Sequence, residues 1–368
     1  MRRRKGLSKL LMLMAVLIIV VLISISPSLL HSNDHKIYLK GSGASFPYPL
    51  LQELIERYEV INPSVEIDYA SVGSGAGQAD LLNRLVDYAG SDAPLTNEQL
   101  ESVDSWILHL PYALGAVVIT YNLPSARDTL RLTPEIISLI FGGVIEKWND
   151  PRIVRYNPWL AHVEEYITVV HRSDSSGTTY IFTLFLSKES DFWREHYGTG
   201  KMISWPNIGR FVGGKGNEGV AGLLKQTPYS IGYIEFTYAY KESLPMAEVM
   251  NKAGAFVAPS ILSIEAASNV DLSKLDPRDL RISDLIIDSN VSNAYPISAP
   301  TYILVYEDWS IYNGDKNVIV TKMEAFKEWM MWIILDGSQY YYDLGYVPIS
   351  STLANKVLEA IELISYRG

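Results

Sequence analysis

The 368-residue sequence contains no cysteine. This absence excludes disulfide bonds, thiolate metal sites, a cysteine nucleophile and a lipid anchor attached to cysteine. The protein must instead rely on the apolar core that its 48% hydrophobic residues can build. A chain of this length predicts two domains rather than one.

Positive charge is scarce relative to negative charge. The sequence has 31 Lys and Arg residues against 41 Asp and Glu residues, which gives a net charge of −10. Such a surface repels nucleic acid, so we expect no nucleic-acid partner. The overall field would also oppose an anionic ligand, and an anion must therefore be held by local hydrogen-bond donors and helix N-termini.

Several motifs of enzyme sites are absent from the sequence. The stretch 213–217 (GGKGN) lacks the hydroxyl that follows the lysine of a P-loop. Neither a G-x-S-x-G elbow nor an H-E-x-x-H metal motif occurs. We expect His171 to be a surface or hydrogen-bonded core residue. The sequence thus predicts no catalytic residue, no metal site and no cofactor.

The longest apolar run lies at the N-terminus. It extends from Leu10 to Leu30 behind the basic cluster 2–5, which is the arrangement of an export signal. About 20 such residues suffice to span a bilayer, and no A-x-A cleavage site follows. Residues 1–33 are therefore either a cleaved signal peptide or an N-terminal membrane anchor. Both alternatives predict an extracytoplasmic protein at the cell surface.

Strand and helix patterns alternate from Ile37 onward. Residues 37–39 and 65–69 have strand patterns, and each is followed by a glycine-containing loop and apolar residues at helical spacing. The first predicted helix has the stripe Leu50, Leu51, Leu54, Ile55 and Tyr58, and the second has Leu81, Leu82, Leu85 and Val86. Residues 133–135 (TPE) have the pattern of a helix start, with a cap, a first-turn proline and an acid. Residues 166–171 begin a third unit of the same kind. Such units in series predict an α/β protein. Residues 241–290 show no clear pattern.

Three of these loops combine glycine with serine or threonine, at residues 41–47, 73–77 and 174–178. A loop of this kind directs backbone N–H groups and hydroxyls into one concavity, and the helix behind it adds a partial positive charge. One such loop is a common turn, whereas three in one chain predict an oxyanion site.

Three charged residues are candidates for that site. Arg172 precedes the third loop, where its guanidinium could hold an oxyanion by two hydrogen bonds, and Asp174 could orient it. The alternative is a surface arginine at a strand end. Asp92 is either a carboxylate that faces the ligand or a turn residue before Pro94.

Six motifs follow one another along the chain: GSGASFP at 41–47, VGSG at 72–75, GSDAPL at 90–95, RSDSSGT at 172–178, GGKGN at 213–217 and IGYIE at 231–235. In this order they resemble the phosphate-binding proteins of ABC phosphate transporters, a family of extracytoplasmic solute-binding proteins. The stretches 295–297 (YPI) and 301–304 (TYIL) extend the match, and the resemblance covers the chain from about residue 37 to about residue 350. Ser45 stands where that family often has threonine, and Ser175 where it often has glycine.

The resemblance implies the type II periplasmic-binding-protein fold, in which two α/β lobes are joined by two crossing strands that act as a hinge. We place the crossings near residues 117 and 300. Lobe I then comprises residues 34–117 and 301–368, and lobe II comprises residues 118–300.

The resemblance also implies a set of phosphate ligands by position. In lobe I they are Ser45, Phe46 through its backbone N–H, Ser74 and Asp92. In lobe II they are Arg172, Ser176, Gly177 and Thr178. Asp174 matches the acid that braces the arginine.

The function implied is capture of inorganic phosphate by a monomeric protein and its delivery to the permease subunits of an ABC importer. Asp92 would accept a proton that phosphate carries and that sulfate, molybdate and tungstate lack at neutral pH. Two alternatives stay open. The same fold could bind one of those other oxyanions, or the protein could be an enzyme such as an acid phosphatase, which would need a nucleophile or metal cluster.

Overall fold

The computed structural model describes residues 36–124 and 126–368. The predicted signal peptide or anchor, residues 1–33, lies outside the described residues. Residues 38–368 form one compact unit. None of the helices in the described part of the chain combines the length and apolar character that crossing a membrane requires.

Twelve strands occur in these residues, and nine of them form one sheet. The strands are β1 (Ile37–Gly43), β2 (Val65–Ser71), β3 (Tyr88–Ser91), β4 (Ile107–Asn122), β5 (Arg131–Leu132), β6 (Thr168–Arg172), β7 (Phe211–Gly214), β8 (Ser230–Glu235), β9 (Glu248–Met250), β10 (Phe256–Val257), β11 (Ser298–Tyr306) and β12 (Val347–Pro348). The large sheet has the order β2-β1-β3-β11-β4-β8-β6-β7, and β12 pairs with β4. Strands β10, β9 and β5 form a small second sheet.

Helices cover the sheet. The α-helices are α1 (Tyr48–Ile61), α2 (Ser74–Leu82), α3 (Asn97–Glu101), α4 (Pro134–Phe141), α5 (Pro151–Val154), α6 (Gly177–Glu189), α7 (Asp191–His196), α8 (Gly216–Gln226), α9 (Phe236–Lys241), α10 (Ile261–Ala267), α11 (Ser283–Ile286), α12 (Lys316–Leu335) and α13 (Ser351–Glu362). Short 3₁₀ turns lie at Pro158–Leu160, Trp309–Ile311, Gly337–Tyr340 and Tyr342–Leu344.

The helical spacing in the sequence locates α1 well and α2 less well. Helix α1 buries its predicted apolar stripe, Leu50, Leu51, Leu54, Ile55 and Tyr58. Helix α2 was expected to include Leu85 and Val86, but it ends at Leu82. Arg84 adopts a left-handed conformation with φ of 59°, which a right-handed helix cannot include.

Strand β4 joins the two halves of the large sheet. Its residues from Ile107 to Ala116 pair with β11, whereas those from Val117 to Asn122 pair with β8. We call the half with β1, β2, β3 and β11 the first lobe and the half with β6, β7 and β8 the second lobe. The predicted two-lobed α/β fold is confirmed. The boundaries at residues 117 and 300 stay a prediction, which the change of partner along β4 supports.

The segment 261–290, for which the sequence showed no pattern, bonds to both lobes. The backbone N–H of Ile282 donates to the Tyr302 hydroxyl on β11 at 3.1 Å. On the other side, Lys188 of α6 donates from Nζ to the Asp284 carbonyl at 2.8 Å. The predicted boundaries assign this segment to lobe II, whereas its hydrogen bonds reach both strand β11 and helix α6.

The parallel strands place the glycine-containing loops in equivalent positions. Strand β1 runs parallel to β3, and β6 runs parallel to β7 and β8. The loops that follow β1, β3, β6 and β7 each contain one of the six sequence motifs. Ligands of open α/β sheets bind beyond the carboxyl ends of parallel strands, which makes these loops the candidate site.

Candidate functional site

Ser45 and Phe46 lie in the turn between β1 and α1. Both are buried, and the Ser45 hydroxyl accepts hydrogen bonds from the backbone N–H of Asn217 at 3.2 Å and from its side-chain Nδ2 at 3.1 Å. The Phe46 carbonyl accepts from the Tyr346 hydroxyl at 2.7 Å. These bonds fix the backbone of the turn and bring it against the second lobe.

Ser74 is the first residue of α2 and contacts the N-terminus of α6. Its hydroxyl accepts from the backbone N–H of Gly177 at 3.1 Å. The preceding Gly73 has φ of 94°, a conformation that favours glycine. Gly177 also needs to lack a side chain, because a Cβ there would overlap the Ser74 hydroxyl and lie 2.6 Å from Oδ2 of Asp92.

Asp92 follows β3 and is almost wholly buried, with 1% of its surface exposed. Its Oδ1 accepts from the Thr301 hydroxyl at 2.8 Å, and its Oδ2 accepts from the Ser74 hydroxyl at 3.4 Å. Burial raises the pKa of Asp92 to about 7, although both hydrogen bonds and the charge of Arg172 act in the opposite direction. Asp92 can therefore either accept or supply a proton near neutral pH.

Arg172 ends β6, and only 1% of its side chain is exposed. It donates from Nε to Oδ1 of Asp174 at 2.8 Å and from Nη2 to Oδ2, which is a two-pronged ion pair. Nη1 donates to the Thr178 hydroxyl at 3.1 Å. Burial disfavours the ionised form of Asp174, but the hydrogen bonds and charge of Arg172 outweigh it and lower the pKa of that carboxyl. The predicted role of Asp174 as a brace agrees with this geometry.

Ser176, Gly177 and Thr178 form the N-terminal end of α6, a helix of 13 residues. The Ser176 hydroxyl caps the helix by accepting from the backbone N–H of Thr179 at 3.1 Å. A hydroxyl that accepts in this way can still donate its own proton to an anion. Thr178 is fully buried between Arg172 and Asn217. The helix dipole adds positive potential at this end.

Two residues that the predicted ligand set does not include also lie at the site. Asn217 donates to the Ser45 and Thr178 hydroxyls and accepts from the backbone N–H of Glu235 at 3.0 Å, which connects the two lobes. Thr301 holds Asp92. Asn217 ends the GGKGN motif and Thr301 begins the segment 301–304, so the resemblance could have indicated both residues although not their contacts.

The acidic groups near the site oppose an anion less than their number indicates. Asp174 is paired with Arg172. The Asp92 pKa lies near neutrality, and burial raises the pKa of Glu235 to about 8. The guanidinium and the helix N-termini therefore determine the local potential, as expected for an anion site in an acidic protein.

His171 is a hydrogen-bonded, stacked residue, as expected. Its Nδ1 lies 2.9 Å from the Arg172 carbonyl, and its ring stacks on Trp205 at 4.8 Å between centroids. Burial lowers the His171 pKa. Within residues 36–124 and 126–368, no group of three or more His, Asp or Glu side chains is arranged to hold a metal ion.

Comparison with known proteins gives consistent matches along the chain. Residues 31–336 match the model of a PBP superfamily domain. A phosphate-binding protein PstS of Methanocaldococcus jannaschii is 40% identical over 348 residues, which cover 90% of this chain and 88% of that protein. A phosphate-binding protein PstS of Haemophilus influenzae is 36% identical, with 87% of this chain and 91% of that protein covered.

Solved structures show the same fold at lower identity. A phosphate-binding protein from Stenotrophomonas maltophilia superposes with a TM-score of 0.65 at 18% identity, and the match covers 88% of this chain and 93% of that protein. A high-affinity periplasmic phosphate-binding protein solved with bound phosphate gives a TM-score of 0.68 at 20% identity, covering 87% of this chain and 92% of that protein.

Proposed function

This chain belongs to the PBP superfamily and, within it, to the family of PstS phosphate-binding proteins, and from that premise we propose that it captures inorganic phosphate between its two lobes. Phosphate would be held by Ser45, the backbone N–H of Phe46, Ser74, Asp92, Arg172, Ser176, Gly177 and Thr178, the ligand set that the sequence predicts. Asn217 and Thr301 would support those ligands.

The observation that carries this proposal is the meeting of loops from both lobes around one guanidinium. Ser45 of the first lobe bonds to Asn217 of the second, and Ser74 of the first bonds to Gly177 of the second. Hydroxyls, backbone N–H groups and helix N-termini thus converge where Arg172 is buried. Such an arrangement suits a small, multiply hydrogen-bonding anion that both lobes enclose.

The available donors are sufficient for tight binding. A hydrogen bond to a charged group contributes about 1.5–3 kcal/mol, and micromolar affinity needs about 8 kcal/mol net. Several hydroxyls and backbone N–H groups together with Arg172 exceed that amount even after the costs of desolvation and lobe closure.

Asp92 would distinguish phosphate from fully deprotonated dianions. Phosphate keeps at least one proton at neutral pH and can donate it to the carboxylate. Sulfate, molybdate and tungstate have no proton to give, and they would meet like-charge repulsion from an unpaired carboxylate. This feature disfavours the alternative in which the same site binds one of those oxyanions.

Delivery to the permease subunits of an ABC importer in the membrane completes the proposed function. A monomer that closes around phosphate presents both lobes in one fixed arrangement, which a permease could recognise. The N-terminal segment 1–33 would place the protein outside the cytoplasm, either as a removed signal peptide or as an anchor. We also propose that the protein is not an enzyme, because the site is built from hydrogen-bond donors and its family consists of binding proteins.

The test uses two glycine variants. In Gly177→Ala, the added methyl group would overlap the Ser74 hydroxyl and crowd Asp92, so phosphate binding should be lost. Gly222→Ala on α8 is the matched control, because apart from its chain neighbours and the backbone of its own helix no atom lies within 4 Å of the added group. Equal phosphate binding by Gly177→Ala, Gly222→Ala and wild type would contradict the proposed site. Turnover of a chromogenic phosphate ester by wild type would instead favour an enzyme.

A further inference from the structure

The pairing of β11 with β4 is irregular at a single position. Thr301 lies opposite Ala113, but the next residue, Tyr302, lies opposite Pro111, so Tyr112 of β4 has no counterpart at the register shift. A bulge of this kind adds local twist and changes the direction of the side chains beside it. The irregularity therefore occurs at the residue that contacts Asp92.

Thr301 holds one particular oxygen of that carboxyl group. Its hydroxyl donates to Oδ1 of Asp92 at 2.8 Å, and it is fully buried. The other oxygen, Oδ2, lies near Ser74 and the N-terminus of α6 at Gly177. The hydroxyl thus fixes the rotation of the carboxyl group and leaves Oδ2 directed toward the oxyanion loops.

The charged and titratable groups that face Asp92 come from several elements. Arg172 of β6 lowers the Asp92 pKa by its charge, as the hydroxyls of Thr301 and Ser74 do by hydrogen bonding. Tyr69 of β2 and Tyr112 of β4 also interact electrostatically with Asp92, and their own pKa values are raised, mainly by burial. Both tyrosines are therefore neutral between pH 5 and 9, whereas Asp92 titrates within that range.

We propose that Thr301 is a positioning residue that sets the anion specificity of the site, because its hydroxyl donates to Oδ1 of Asp92, which favours the carboxylate form, and aims Oδ2 at the ligand. This inference rests on the proposed function and deepens it. An ionised Asp92 accepts a proton from phosphate and repels a dianion without a proton. A neutral Asp92 would instead donate its proton in a hydrogen bond to that dianion, and the site could then bind the dianion.

Loss of the hydroxyl should therefore weaken discrimination rather than phosphate binding. Without the donated hydrogen bond the carboxylate form of Asp92 is less stable, and more of the site is neutral at any given pH. Sulfate should then bind at higher pH than it does in wild type. Phosphate carries its own proton throughout this range and can bond to either form of Asp92, so its affinity should shift with pH less than that of sulfate.

The experiment measures sulfate and phosphate affinity from pH 5.5 to 8.5 for wild type, Thr301→Val, Thr301→Ala and Thr301→Ser. In wild type we expect sulfate affinity to fall through a midpoint near pH 7. In Thr301→Val and Thr301→Ala the midpoint should rise by about one pH unit, which makes sulfate binding about fivefold tighter at pH 8. Thr301→Ser keeps the hydroxyl and should restore the wild-type profile.

Two controls separate this role from a structural one. Thr120 is an equally buried threonine on β4 whose hydroxyl donates to the Pro245 carbonyl at 2.8 Å, and Thr120→Val should leave the sulfate midpoint unchanged. In an Asp92→Asn background, Thr301→Val should have no effect on the pH profile, because the carboxyl group on which the Thr301 hydroxyl acts is gone.

The outcomes distinguish the inference from the proposed function. A sulfate midpoint that is the same in Thr301→Val, Thr301→Ala and wild type, with phosphate binding retained, would overturn the role of Thr301 alone. A sulfate midpoint in Thr301→Ser that equals the midpoint in Thr301→Val would overturn the role of Thr301 as well. Failure of the wild-type protein to bind phosphate would overturn the proposed function itself.

Discussion

Arg172 offers the largest perturbation of the proposed site. Its guanidinium has five N–H donors in a fixed fork. Asp174 and Thr178 accept from three of its N–H groups, one each on Nε, Nη1 and Nη2. About two N–H groups therefore remain for an anion. Two hydrogen bonds to a charged ligand contribute about 3–6 kcal/mol together, so Arg172→Ala should weaken phosphate binding by a factor of about 10²–10⁴.

Arg172→Lys should recover part of this loss, because an ammonium group restores the charge but not the planar fork. Calorimetric titration at neutral pH gives the affinities, and thermal unfolding without phosphate separates loss of binding from loss of folding. Arg210→Ala serves as a control, since Arg210 pairs with Glu146 away from the site loops. Phosphate binding by Arg172→Ala within a few-fold of wild type would refute the placement of Arg172 as the main ligand.

Two other variants test separate parts of the account in three experiments. Asp92→Asn should lower the ratio of phosphate to sulfate affinity at neutral pH, because the amide removes the repulsion of sulfate and can donate a hydrogen bond to it. Competitive titration measures this ratio. An unchanged ratio would show that Asp92 is only a turn residue. The same variant tests stability without ligand. Because burial raises the folded-state pKa of Asp92 from 3.8 to about 7, wild type should lose stability as the pH rises from about 4 to 7, by up to about 4 kcal/mol. Denaturant unfolding of Asp92→Asn should show no such loss of stability, because the titrating carboxyl group is gone. Profiles of unfolding free energy against pH that run parallel for wild type and Asp92→Asn would contradict the raised pKa of Asp92. Tyr238→Phe removes a hydrogen bond of 2.7 Å from α9 to the Ser45 carbonyl across the lobes, so phosphate should dissociate about fivefold faster with an unchanged association rate. Stopped-flow measurement should show no such effect for Tyr240→Phe, which changes an exposed side chain on the same helix, and equal dissociation rates for both variants would contradict the bond across the lobes.

The sequence was informative where local chemistry determines structure. Apolar spacing located α1, and Thr133 caps α4 before Pro134 as its pattern predicts. The glycine-containing loops follow parallel strands, and the structure brings the eight predicted ligand positions together. These features depend on neighbours in sequence or on an ordered set of motifs, and both can be read from one chain.

Other features depend on residues distant in sequence. The bulge at Thr301 arises from the pairing of two strands that are far apart in the chain, and no local pattern specifies such a register. The contact of Asn217 with Ser45 joins residues of different lobes. Helix α2 ends early because Arg84 adopts a left-handed conformation, and the local sequence does not predict that conformation. Segment 261–290 forms hydrogen bonds to β11 and to α6, which lie outside the segment and which its own sequence does not indicate.

The most direct test of the central claim is calorimetric titration of the purified protein with phosphate, sulfate and molybdate at neutral pH. We predict one phosphate per chain, bound with micromolar or tighter affinity, and weaker binding of sulfate and molybdate. Comparable affinity for all three anions, or no binding of phosphate, would contradict a phosphate-specific site built around Arg172 and Asp92.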